Sequence, residues 1–371
     1  MKETKGLKKE DNNKNKTNFK TNFTTTKNQE ALFYDIIDEE KRIVQCRLCP
    51  WNCVIKNNGW GVCGARKNIN GRLYSMTYGR PVAVHVDPIE KKPLYHFLPG
   101  ERVFSISTFG CNLFCLNCQN YDLSRTRADK AEELGIGFVE PEEVVNAAID
   151  SKARIIAYTY NEPTVFYEYA LDIMRIARKN KIRNVWVSNG YINEEPLKKL
   201  LKYLDGINVD LKFFNEEKYR EVTKGSLAPV LKTLKIINDK ASDGSVWLEV
   251  TNLIIPGFND AETEIKKMVD WISKNLGNDV PLHFSRFFPM YKMNNVEPTP
   301  MRTLIRAYEM AREKLNFVYV GNIPPPNDFD NTYCPKCGSL LIRRFGFEVV
   351  ENNIVNGKCR FCGNKIPGVW E

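Results

Sequence analysis

The chain has 371 residues, 43% hydrophobic and 11% aromatic, enough for a large core in one big domain with attachments or in two domains. Its net charge of +9 comes partly from a lysine-rich start and is otherwise spread over amphipathic segments. That predicts ordinary solvated surface rather than a nucleic-acid groove. No apolar run approaches the roughly 18 residues of a membrane span, and the start lacks the apolar stretch of a secretory signal, so a soluble, cytoplasmic protein is expected. The eleven cysteines fall into three tight groups, the pattern of metal ligation inside a cell rather than of disulfides.

Residues 1–30 are dominated by Asn, Lys and Thr and predict a disordered tail. Residues 31–100 hold a first cysteine-rich module and a lead-in. Over 101–322 short apolar runs alternate with longer amphipathic ones. "RVFSIST" (102–108), "RIIAYTY" (154–160), "NVWVSNG" (184–190), "GINVDLKFF" (206–214), "SVWLEVTNLI" (245–254), "PLHFSRFF" (281–288) and "FVYVGN" (317–322) predict strands. Between them, 141–153, 163–179, 193–204, 228–239, 262–276 and 303–315 predict helices, the first opened by Pro141. Strands apolar along most of their length are buried on both faces, so a parallel sheet with right-handed crossovers is expected. The repeat suits a full or partial β/α barrel, with a doubly wound open sheet as the alternative. "IPPPND" is a stiff linker into a last module, 323–371.

"CNLFCLNC" directly follows the first of these strands, at the carboxyl end where barrels and open α/β sheets build their sites. Phe109-Gly110 lets the chain turn before the first cysteine. Thiolates select zinc or iron–sulfur clusters. A structural zinc takes four protein ligands, and a cubane normally takes four cysteines. Three cysteines in one loop cap three irons and leave one open, a catalytic feature that a small chelating molecule with an amine and a carboxylate can fill.

Cys111-x3-Cys115-x2-Cys118 resembles the cluster motif of the radical S-adenosylmethionine superfamily. The resemblance implies a [4Fe–4S] cluster on these three residues, with S-adenosylmethionine on the open iron. It implies reductive cleavage to a 5′-deoxyadenosyl radical that takes a hydrogen atom from substrate. Asn117 departs from the aromatic that usually precedes the third cysteine. At "YNEP", Glu162 matches the acid of a Gly-Gly-Glu-type turn that holds the cofactor's ammonium, while Tyr160 and Asn161 replace the glycines; a carboxylate capping the next helix is the competing reading. Ser188 and Asn189 can hydrogen-bond the cofactor's ribose or carboxylate, or form an ordinary polar turn. Asp210 and Lys212 point the same way on a strand. They resemble the Asp-Leu-Lys segment of glycyl-radical activating enzymes, where the pair contacts the cofactor's amino and carboxylate groups; a simple salt bridge is the alternative. Arg286 can clamp a carboxylate, whereas His283 reads as a satisfied core residue.

The wider set "CRLCPWNCVIKNNGWGVCGAR", "GCNLFCLNCQNYDLS", "AYTYNEPTVFYEY", "HFSRFFPMYKM" and "YCPKCG" is similar to the AmmeMemoRadiSam-system radical SAM enzymes, over all but the tail. This resemblance implies a partial (β/α)6 TIM-like barrel and likeness to pyruvate formate-lyase activating enzymes. It also implies genomic company with Memo-like and AMMECR-like proteins as candidate partners and a reduced ferredoxin or flavodoxin as electron donor, and it leaves the substrate open between a partner protein, as for an activase, and a small molecule or peptide modified directly. Phe288 stands where a histidine is expected in this family.

The flanking groups read as closed metal sites. Cys46, Cys49, Cys53 and Cys63 can hold zinc or a second iron–sulfur cluster. Cys334, Cys337, Cys359 and Cys362 form two knuckles with the signature of a zinc ribbon. A zinc protein that binds nucleic acid or scaffolds partners without catalysis is the competing reading, and it leaves the three-cysteine loop idle.

Overall fold

The computed structural model describes residues 28–371. Of the tail expected over 1–30, residues 1–27 lie outside the described residues, and Gln29–Glu30 form a strand paired antiparallel with Arg72–Ser75.

The central feature is an eight-stranded sheet. Its strands are β1 (Ala83–Pro88), β2 (Arg102–Ser107), β3 (Ile155–Tyr158), β4 (Arg183–Ser188), β5 (Gly206–Asp210), β6 (Trp247–Ile254), β7 (Leu282–Arg286) and β8 (Val318–Gly321). Strands β2 to β8 are parallel, in strict chain order, and β1 is an antiparallel edge. One line of register runs Ser105, Ala157, Val185, Gly206, Trp247 across neighbouring strands. A doubly wound sheet reverses its strand order partway; this sheet does not, so crossovers of one hand place their helices in one layer.

Those crossovers contain α1 (Pro141–Asp150), α2 (Tyr167–Lys179), α3 (Glu194–Leu200), α4 (Glu216–Thr223), α5 (Leu227–Ala241), α6 (Glu262–Leu276) and α7 (Met301–Arg312). Chain neighbours in this layer pack on one another, α1 on α2 and α5 on α6. The sequence reading placed six of these and missed α4, a short, largely polar helix that buries only Tyr219, Val222 and Thr223. Local rules set the ends. In α1, Pro141 sits in the first turn and Glu140 and Glu143 form a reciprocal capping box. In α6, Ile265, Met268, Val269, Ile272 and Leu276 are buried at helical spacing, and Gly277 ends the helix with φ 97°.

The carboxyl-terminal module, two small antiparallel sheets over Thr332–Cys359, docks against the amino-terminal end of the sheet. Leu98 donates its amide to Val369 O at 2.7 Å, and Arg183, the first residue of β4, donates to Glu371 O at 2.9 Å. Arg344 anchors the contact: its fully buried guanidinium donates to Tyr95 O, Asp330 O and Thr332 Oγ1 at 2.8–2.9 Å and lies over the Tyr95 ring. The opposite, carboxyl-terminal end of the sheet carries the three-cysteine loop.

Candidate metal centre and cofactor cradle

Beyond β2 the chain turns at Gly110, whose φ of 93° favours glycine, and whose missing Cβ would stand 2.5 Å from Cys63 O. The loop that follows is tied down by distant segments. Cys111 N donates to Cys63 O at 3.2 Å, Phe114 N to Thr223 O at 2.8 Å, and Lys292 N to Leu116 O at 3.0 Å. Cys115 lies close enough to Cys111 to act on its thiol, and close enough to Cys118 to feel its charge. Burial, then the nearby Glu162 carboxylate, pushes the Cys111 thiol well above its usual range; burial also raises Cys115, against the pull of Lys212. Such thiols ionise when a metal core supplies the positive charge, so ligation releases protons.

Among the described residues, these thiols belong to no group of three ligand atoms lying within 4.8 Å of one another. The soft, all-sulfur donor set fits an iron–sulfur cluster.

Glu162, at the turn after β3, is 3% exposed. Its Oε1 accepts from Thr164 N at 3.0 Å, Thr164 Oγ1 at 2.5 Å and Ser188 Oγ at 2.9 Å, and its Oε2 accepts from Asn189 N at 2.7 Å. The helix-capping reading of Glu162 is thus realised. Oε2 has one internal donor and retains accepting capacity. Burial raises this carboxyl against the pull of its donors. Asn189 extends the network to the loop: its Nδ2 donates to Asn112 Oδ1 at 2.9 Å and stands 4.0 Å from Cys111 Sγ. Ser188 and Asn189 are therefore an organised bridge between Glu162 and the cysteine loop.

Asp210 and Lys212 form an ion pair at 2.8 Å, part-exposed, at the end of β5. Burial works to lower the Lys212 ammonium, but Asp210 and Cys115 more than offset it, and its pKa is raised. Cys115 feels this pair.

Three buried groups hold the site in ways that the sequence did not reveal. Asn112 ties the loop to Tyr191 O at 2.7 Å, Asn161 donates to Gly110 O at 2.8 Å, and Thr164 holds Glu162. Tyr160 keeps the backbone shape of the glycine it replaces, with φ 70°. Its ring packs under Lys92 and its hydroxyl donates to Asp87, which offsets the strain. His283 is a core residue, 2.6 Å from Glu249 Oε2. Arg286 donates to Thr299 O and lies over Phe288, which is 41% exposed.

The last cysteine group closes tightly. The four Sγ atoms of Cys334, Cys337, Cys359 and Cys362 lie within 4.8 Å of one another. Cys334–Cys362 and Cys337–Cys359 are 3.7 and 3.8 Å apart. Bonds of about 2.3 Å to one tetrahedral ion give an edge of about 3.8 Å.

The described residues thus form a sheet of parallel strands with a three-cysteine loop at its carboxyl end. The profile of the Radical SAM superfamily matches residues 105–272, which form a Radical SAM domain. An uncharacterized protein of Methanocaldococcus jannaschii is 44% identical over 341 residues, 91% of this chain and 98% of its own length. The 4-hydroxyphenylacetate decarboxylase activating enzyme of Clostridium scatologenes is 24% identical, covering 42% of this chain and 47% of its own. The pyruvate formate-lyase-activating enzyme of Streptococcus mutans is 23% identical, covering 48% and 68%. The chain is an enzyme with relatives among the radical SAM activating enzymes. Among the described residues no helix is long and apolar enough to cross a membrane.

Proposed function

We propose that the chain is a radical SAM enzyme of the AmmeMemoRadiSam type, with a partial (β/α)6 barrel, acting in the manner of an activase on a protein substrate. A [4Fe–4S] cluster with S-adenosylmethionine supplies one-electron cleavage of the sulfonium and hydrogen-atom abstraction from substrate. Cys111, Cys115 and Cys118 hold the cluster. Glu162, held by Ser188 and Asn189, receives the cofactor's ammonium on the free side of Oε2. Asp210 and Lys212 take its amino and carboxylate groups, and Lys212 places positive charge beside Cys115. Cys334, Cys337, Cys359 and Cys362 hold zinc, as their sulfur spacing fits. The one-electron donor is a reduced ferredoxin or flavodoxin, and Memo-like and AMMECR-like proteins are the partners that the motif resemblance supports.

The observation that carries this reading is the convergence of the cysteine loop, Glu162 and the Asp210–Lys212 pair at the carboxyl end of one sheet. It is tested by anaerobic purification, iron and sulfide counting, and addition of S-adenosylmethionine with a strong reductant. Release of 5′-deoxyadenosine is expected, and Cys115→Ala abolishes it. Full cleavage by Cys115→Ala overturns the assignment.

A further inference from the structure

The chain builds two four-thiol sites of different span. The carboxyl-terminal quartet closes on a point. The amino-terminal quartet surrounds a hollow. Cys46, Cys49, Cys53 and Cys63 line one small cavity, together with Leu48, Gly61, Val62, Arg66, Asn112, Thr164 and Val165. That lining contains no carboxylate and no imidazole. Among the described residues these thiols belong to no group of three ligand atoms within 4.8 Å of one another, the span that the carboxyl-terminal quartet meets. A single zinc draws its four sulfurs to a common shell. A polynuclear cluster spreads them, because each thiolate caps its own iron.

A second observation points to a guest with sulfur acceptors. Arg66 is 1% exposed and lines the hollow, its Nε has no partner within the protein, and its Nη1 is 4.0 Å from Cys46 Sγ. A cluster ligated by four thiolates offers sulfur acceptors, and the unpartnered Nε–H of a buried guanidinium is a donor toward sulfur. Glu168 pairs with Arg66 Nη2, and Leu32 O accepts from Nη1 at 2.9 Å, which together fix its orientation.

We propose that Cys46, Cys49, Cys53 and Cys63 hold a second iron–sulfur cluster of the [4Fe–4S] class, closed by four thiolates and packed against the loop of the first. The packing is direct: Cys63 O accepts from Cys111 N at 3.2 Å, and Trp51 Nε1 donates to Asn112 O at 2.6 Å. Its ligation stands independently of the radical reading. With every iron capped by cysteine, this cluster has no open corner for S-adenosylmethionine.

The test uses the full chain, reconstituted anaerobically with iron and sulfide, beside the triple variant Cys111→Ala, Cys115→Ala, Cys118→Ala. The native chain is expected to hold about eight irons and eight sulfides, and the triple variant about four of each. On reduction, the triple variant should give an electron paramagnetic resonance signal that S-adenosylmethionine leaves unchanged. A triple variant with zinc in place of iron and no sulfide overturns the proposal, as do about four irons in the native chain with none in the triple variant, which would leave only the loop cluster standing. Retention of four irons in both proteins supports the second cluster and sinks the first. Cys49→Ser gives the reciprocal loss where it folds; the triple variant decides the matter where it does not.

Discussion

Glu162 Oε2 accepts the backbone amide of Asn189 at 2.7 Å, joining the turn after β3 to the turn after β4 inside a buried site. Asn189 in turn stands beside Cys111. A single carboxylate therefore ties the turns after β3 and β4 to the cysteine loop.

Glu162→Ala strips the acceptor from Thr164 N, Thr164 Oγ1, Ser188 Oγ and Asn189 N at once. Buried donors without partners are costly, and a loss on the order of 3 kcal/mol is expected. Denaturant unfolding measures it. S-adenosylmethionine binding should weaken more than about tenfold, roughly the 1.4 kcal/mol of one charge-assisted hydrogen bond. Unchanged stability would show that the network is not holding the turn.

Asp210→Asn separates function from stability. The pair with Lys212 is part-exposed, so its net contribution to folding is at most about 1 kcal/mol. S-adenosylmethionine affinity should nevertheless fall about tenfold, read by equilibrium binding to the reconstituted protein. If binding is unaffected in both Asp210→Asn and Lys212→Met, the pair is only a surface salt bridge.

The parts of this site that were legible in the sequence are those encoded locally. Cys111, Cys115 and Cys118 are within one loop, and Asp210 and Lys212 share a strand end, so spacing alone exposed them. Seven strands were visible as apolar runs because a sheet covered on both faces leaves little room for polar residues. What was hidden depends on distant contacts. Asn112 acts through Asn189, 77 positions away, and Arg344 through Tyr95, 249 positions away. The edge strand Ala83–Pro88 was missed because one side of it is open, so its pattern is mixed: His85 is exposed while Asp87 is buried. Tyr160 read as a departure from glycine, yet its backbone keeps glycine's shape through contacts that spacing does not reveal.

Arg344→Met should be among the most damaging changes outside the site. The guanidinium is fully buried and lies 3.6 Å from Glu90 Oε1, itself buried. Removing the cation strands the carboxylate, at a cost of about 3–5 kcal/mol. The double variant Arg344→Met, Glu90→Gln should recover part of that loss, because the uncompensated charge is gone. Thermal unfolding of the two variants decides it: equal destabilisation would mean that Arg344 acts through its packing on Tyr95 and not through charge.

His96 gives the interface with the carboxyl-terminal module a pH dependence. Its Nδ1 lies 2.7 Å from Pro367 O and its Nε2 2.6 Å from the Tyr319 hydroxyl, both within a buried aromatic cluster. Burial pushes its pKa down to about 4, against the pull of Glu249. The unfolded chain's histidine takes up its proton near 6.5, which the folded site refuses until about pH 4. Stability from this group is therefore complete above about pH 6.5 and falls as pH drops toward 4, by on the order of 3 kcal/mol. Asp330 works in the opposite direction, since burial raises its carboxyl to about 6 and acid relieves it. Asp330→Asn should accordingly steepen the acid loss of melting temperature. Imidazole resonances of His96 should stay those of the neutral ring at pH 5.5; a midpoint near 6.5 would mean that the ring is not sealed between the sheet and the module.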